Sequence, residues 1–146
     1  MSTVYRLRHR WVHYGACAWA ILFGAPHTWW ALGNPFGFPG GQANHQLMMT
    51  TWRLRYDWVV IGLCVLACFV ALAPVQRWGN AVPRWITRSM AWIACGMLSL
   101  RGVAGFIHDG LSDRVWNPTF LIGGILFGGV AWSARTLKNP AGTPPE

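Results

Sequence analysis

A chain of 146 residues that is 53% hydrophobic and 11% charged departs from soluble domains, where about 25% of residues carry charge. Its size suits one domain, and its composition points to a membrane before any motif is read. The net charge of +8 would otherwise invite a nucleic-acid partner, so the placement of the basic residues has to decide between the two.

Four apolar segments, about 11–32, 57–74, 85–107 and 118–135, are each close to the roughly 20 residues that cross a hydrocarbon layer. The expected fold is therefore all-α: a four-transmembrane-helix bundle forming a single domain over 1–137. The tail "KNPAGTPPE", 138–146, has no apolar period and is expected to be disordered. Eight of the twelve basic residues (Arg6, Arg8, Arg10, Arg77, Arg84, Arg88, Arg135 and Lys138) fall on one side of this arrangement. Arg53, Arg55 and Arg114 fall on the other, and Arg101 lies inside the third span. This asymmetry is the positive-inside pattern, which puts both termini in the cytoplasm of a multi-pass inner (plasma) membrane protein. The basicity then reflects topology and anionic headgroups, and no nucleic-acid partner is expected. The apolar run after "RLRHR" continues to Leu32, with Pro26 directly after Ala25, so it reads as an uncleaved span rather than a secretory signal.

In the first span Trp19, Phe23, His27 and Trp30 are separated by four, four and three residues and form one stripe on a helix. Pro26 removes a backbone donor, and a bend there would open space beside His27. Nine of the 11 tryptophans stand near span ends, where an interfacial aromatic belt places them; Trp19 and Trp92 do not. Trp30 is divided between belt and pocket, and His27 between a hydrogen-bonded bundle residue and a functional one. The loop "NPFGFPGGQAN" is rich in turn residues and is expected to fold over the outer mouth as a lid.

Asp57 opens the second span, with Ile61, Cys64 and Cys68 below it on the same face. All four cysteines, Cys17, Cys64, Cys68 and Cys95, fall inside spans and read as small apolar packing residues rather than a redox pair. The third span carries Arg101 about two turns inside its outer end, where an arginine costs about 2.5–3.5 kcal/mol at the helix centre and less where it snorkels. Compensation is expected from Asp57, Asp109 or Asp113, and Arg101, Gly105 and His108 share a face. His27, Asp57, Arg101, His108 and Asp109 are thus expected to gather at the outer third of the bundle. His27, Asp57 and Asp109 are the candidate catalytic residues, and Trp19, Trp30, Arg101 and His108 the candidate ligand-binding ones. The competing reading is a structural ion pair with ordinary loop polarity. In the fourth span Asn117 is placed as helix cap and Pro118 at the first helical position. The GxxxG spacing of Gly124 and Gly128 suits close helix packing, inside the bundle or in a homodimer.

The motif "HTWWALG", the second loop ending "VPRW" and the stretch "SDRVWNPTFLIGGILFGGVAW" resemble a family of small four-span bacterial integral membrane proteins, common in actinobacteria, known as domain of unknown function 3995. The likeness extends to about Leu137, and the chain departs from the family at Asn34, where a second glycine is usual. It implies the four-helix membrane fold and carries no activity with it.

Three functional readings follow. One is an enzyme or ligand site for a lipid or isoprenoid-like molecule entering from the outer leaflet, with Asp57 or Asp109 as acid or base and His27 as its partner. Another is a non-catalytic accessory subunit docking a larger membrane partner. The third is haem or quinone binding through His27 and His108. A cavity lined by His27, Trp30 and Arg101 favours the first; a filled bundle with an exposed apolar groove favours the second. No cofactor or metal is expected, and membrane lipids are the expected partners.

Overall fold

The computed structural model describes residues 10–37, 46, 53–109 and 115–136. The expected tail, most of the loop after Gly37, and Asp113 lie outside these residues. Among the described residues the chain is helical: α1 Arg10–Ala31, α2 Arg53–Leu72, a short 3-10 turn at Arg77–Ala81, α3 Arg84–Asp109 and α4 Trp116–Thr136. With 22, 20, 26 and 21 residues, these helices are rods about 30–39 Å long.

The helix ends follow local chemistry. α1 runs through Pro26 without interruption, and the Thr28 hydroxyl donates to the Gly24 carbonyl at 3.0 Å. It stops where Gly33 adopts a left-handed φ of 91°, with the Gly33 and Asn34 amides turning back to the Trp30 and Trp29 carbonyls. Asn34 supplies a side-chain acceptor for the Phe36 amide at 3.1 Å, which holds the start of the loop against the helix end. At α4 the expected cap is corrected: the helix begins at Trp116, so Asn117 and Pro118 already lie in its first turn. Proline is tolerated there because first-turn amides have no helical acceptor to lose. The Thr119 amide and hydroxyl both return to the Val115 carbonyl.

α1 packs mainly on α2 and α3 on α4, and the two hairpins meet chiefly through α1 and α4. One end of the bundle is basic, with Arg10, Arg77, Arg84 and Arg88. That end also carries Trp78 and Trp85; the other, the aromatic end, has Trp30, Tyr56 and Trp116 together with Arg55. The core is built from small residues, Ala16, Ala20, Ala71, Ala91 and Ala131, around Phe127 and Val130. Small residues let the helix axes approach closely. The buried set also includes polar side chains: His13, His27, Thr87, Asn117 and Ser133.

The outer surface is apolar. Ile21 and Leu22 of α1, Val59, Leu63 and Phe69 of α2, Ile93, Met97 and Leu100 of α3, and Ile122 and Ile125 of α4 are all exposed. Two helices, α2 over Arg55–Leu72 and α3 over Arg84–His108, are long and apolar enough to cross a membrane, yet only 11% and 17% of those windows are buried.

Candidate functional site

At the aromatic end the α1 stripe is realised in contact. Trp19 stacks on Phe23 with centroids 5.1 Å apart, Phe23 lies 5.3 Å from the His27 ring, and His27 lies 5.2 Å from Trp30. His27 is buried, and its Nδ1 lies 2.7 Å from Asp57 Oδ1, joining α1 to α2. An ionised carboxylate only accepts, so Nδ1 carries the hydrogen and donates it. That leaves Nε2 of the neutral ring as a lone-pair acceptor, the arrangement by which a carboxylate fixes the tautomer of a histidine base. Tyr56 and Trp116, each at 6.3 Å, complete a wall of four rings around the imidazole.

Trp30 belongs to this wall: it is buried, lies 5.7 Å from Trp116, and donates from Nε1 to the Phe36 carbonyl at 3.2 Å. Trp29 beside it is exposed. Trp19 is tied to α4 by its Nε1, which donates to the Thr119 carbonyl at 3.0 Å.

Arg101 does not join the histidine and carboxylate. Its guanidinium carbon lies 5.0 Å above the Phe120 ring, Phe120 lies 5.2 Å from Phe23, and Phe23 in turn meets His27. Two aromatic rings thus stand between the arginine and the imidazole. Asp57, the one carboxylate whose side chain is described, pairs with His27 and not with Arg101, which is exposed. The expected convergence of charges divides into a His27–Asp57 pair inside the bundle and a separate arginine at the α3–α4 seam. The reason is rotational: the face of α3 that carries Arg101 and Gly105 meets α4, whereas His27 points between α2 and α4. Asp109 ends α3, and its side chain lies outside the described residues. His108 is exposed on α3, whereas His27 is enclosed by rings.

Phe23 and Phe120 link His27 to Arg101 ring by ring, and a concavity lies on the outside. An apolar groove of about 390 Å³ runs between α1 and α2, with Ala20, Gly24, Cys64 and Cys68 among its small residues and Ile21, Trp29 and Val65 along its walls. Asp57 stands one helical turn above Ile61, another groove residue. At the basic end a cavity of about 120 Å³ touches Asn80, Arg84 and Thr87.

Residues 20–127 match the family described as "Protein of unknown function (DUF3995)". The chain belongs to the DUF3995 family. No curated protein and no solved structure matches it. The DUF3995 segment contains His27, Asp57, Arg101 and Asn117 and stops short of Ser133 and His13.

His13 is the residue that sequence reasoning passed over. It is 1% exposed, with Nδ1 2.8 Å from the Ala71 carbonyl of α2 and Nε2 2.9 Å from the Ser133 hydroxyl of α4. One imidazole therefore joins three helices of this DUF3995 bundle at the basic end. The available signal was the stripe His13, Ala16, Ala20, Gly24, His27, small residues at helical spacing with a histidine at each end. The glycines of α4 are used within the chain. A side chain on Gly123 would run into the Trp19 ring and one on Gly124 into the Ser99 hydroxyl, while a Cβ on Gly128 would lie 3.2 Å from Cys95 Sγ. The GxxxG face expected to serve packing or a homodimer is thus turned toward α3.

Proposed function

We propose that the protein is a multi-pass integral membrane protein of the inner membrane, all four helices spanning and both termini cytoplasmic, that holds a lipid or isoprenoid-like molecule in the α1–α2 groove. One observation carries the reading: every helix turns large apolar side chains outward, while the buried core is mostly alanine with a few polar side chains. In water that arrangement would leave the apolar faces unpaid by burial, whereas hydrocarbon solvates them. The basic end faces the cytoplasm by the positive-inside bias, so the His27–Asp57 pair and the upper end of the groove belong to the outer leaflet.

An apolar concavity facing hydrocarbon is filled by an apolar chain, and this groove has a floor of small residues that leaves room for one. The polar end of such a ligand lies toward Asp57, one helical turn above the groove residue Ile61, with His27 behind the carboxylate as its hydrogen-bond partner. The test is lipid extraction and mass spectrometry of the protein purified in mild detergent, beside Ala25→Trp, which places a large ring at the exposed groove rim. Loss of a stoichiometric co-purifying amphiphile in the variant is expected; equal amounts in both proteins end the reading.

A second reading is favoured by the ring-filled aromatic end: the groove receives a helix of a larger membrane partner, and the protein is an accessory subunit. A photoreactive residue at Val65 would then crosslink to a second polypeptide instead of to lipid.

A further inference from the structure

The groove leaves Arg101 unaccounted for. It lies two turns inside the α3 end and is exposed, and Asp57, the one carboxylate with a described side chain, is engaged by His27 instead. Three observations bear on what neutralises it. First, the guanidinium is seated: it rests on the Phe120 face at 5.0 Å, and one of its terminal nitrogens lies over Gly105, 2.8 Å from where a Cβ would stand. Second, that same missing side chain of Gly105 is occupied from the other helix by the Asn117 amide. Third, Asn117 is fully buried, and neither its Oδ1 nor its Nδ2 has a hydrogen-bond partner. An orphan amide in a bundle interior is costly, and here it lies beside a cation that has donors to spare.

We propose that Arg101, beside the orphan Asn117 amide at the Gly105 notch, is a binding site for the oxyanion of a phosphate-bearing amphiphile at the outer boundary of the membrane. The guanidinium has five donors, enough to give one to Asn117 Oδ1 and present a fork to a phosphate. An anion at the seam draws the guanidinium toward α4 and closes the bond that the orphan amide lacks, so occupancy satisfies both groups together. Below the seam Met97 and Leu100 of α3 and Ile122 and Ile125 of α4 are exposed, which gives acyl chains an apolar track away from the headgroup. His108, exposed two turns from Arg101 on the same helix, adds a second donor at the rim. The site is on the α3–α4 side and is separate from the groove; it rests on the membrane part of the proposed function and not on the groove's occupant.

The test is native mass spectrometry of the full-length protein released from nanodiscs containing phosphatidylglycerol, with diacylglycerol as the phosphate-free probe and inorganic phosphate as competitor. One phosphatidylglycerol retained per chain and no diacylglycerol is the expected result. Retention should fall roughly tenfold or more in Arg101→Gln, and less in Arg101→Lys, which keeps the charge but not the fork. Asn117→Ala should weaken retention while Arg101 stays in place. Displacement by millimolar inorganic phosphate would support the oxyanion site and assign it to free phosphate instead of a headgroup. Equal retention by the wild type and both Arg101 variants, or equal retention of diacylglycerol, overturns the site. If Arg101→Gln fails to accumulate, Arg101→Lys against wild type decides. A protein that stays in the membrane fraction yet shows no Arg101 dependence sinks this site and leaves the membrane reading standing.

Discussion

His13 on α1 and Ser133 on α4 lie 120 positions apart and meet inside the bundle, with the imidazole Nε2 2.9 Å from the hydroxyl oxygen. The Ala71 carbonyl only accepts, so Nδ1 carries a hydrogen. The serine hydroxyl, also 2.9 Å from the Val130 carbonyl, turns toward whichever acceptor needs it. Replacing His13 by Ala removes both bonds and leaves a void among three helices. A loss of about 2–4 kcal/mol is expected, seen as a lowered unfolding midpoint in detergent. Ser133→Ala should cost only about 1 kcal/mol, one net hydrogen bond. A His13→Ala protein as stable as wild type would remove the three-helix tie.

The His27–Asp57 bond predicts a measurable coupling. His27→Gln, Asp57→Asn and the double variant should form a non-additive cycle with an interaction of about 1–3 kcal/mol, as for a charge-assisted hydrogen bond in a largely buried place. The measurement is denaturant unfolding followed by tryptophan fluorescence, which the surrounding Trp30 and Trp116 report on directly. Additive effects would mean that the two groups act independently.

The glycines separate into two classes. Ala at Gly105 or Gly123 drives a methyl group into Asn117 or the Trp19 ring, and a cost of about 1–3 kcal/mol is expected. Gly62 and Gly96 have open space where a Cβ would go, and Ala there should be neutral or stabilising by about 0.5–1 kcal/mol. Melting curves of the four variants test both directions. Equal effects at all four would contradict the close α3–α4 and α1–α4 contacts.

Topology is tested by labelling. In a cysteine-free background, Phe36→Cys should react with a membrane-impermeant maleimide on intact cells, and Trp78→Cys only after lysis. The reverse pattern inverts the orientation and moves the His27–Asp57 pair to the cytoplasmic face.

The helices and the α1 stripe were legible in the residues because both are local properties. Apolar content sets which segments are rods, and a spacing of three or four sets which side chains share a face, so Trp19, Phe23, His27 and Trp30 were aligned before any neighbour was known. The position of Asp57 at the start of its helix was equally local, and the antiparallel hairpin needed only a loop to bring it level with His27.

What composition and period determined is therefore the rods, their apolar surfaces and the polar residues at each end. Tertiary structure alone decided which of those residues meet. Partner identity depends on how each helix is rotated about its axis and which neighbour it crosses, quantities that no single helix encodes. The rotation of α3 sends Arg101 to the Phe120 face instead of the carboxylate, the rotation of α4 turns its glycines inward, and a histidine at the basic end becomes the tie among three helices.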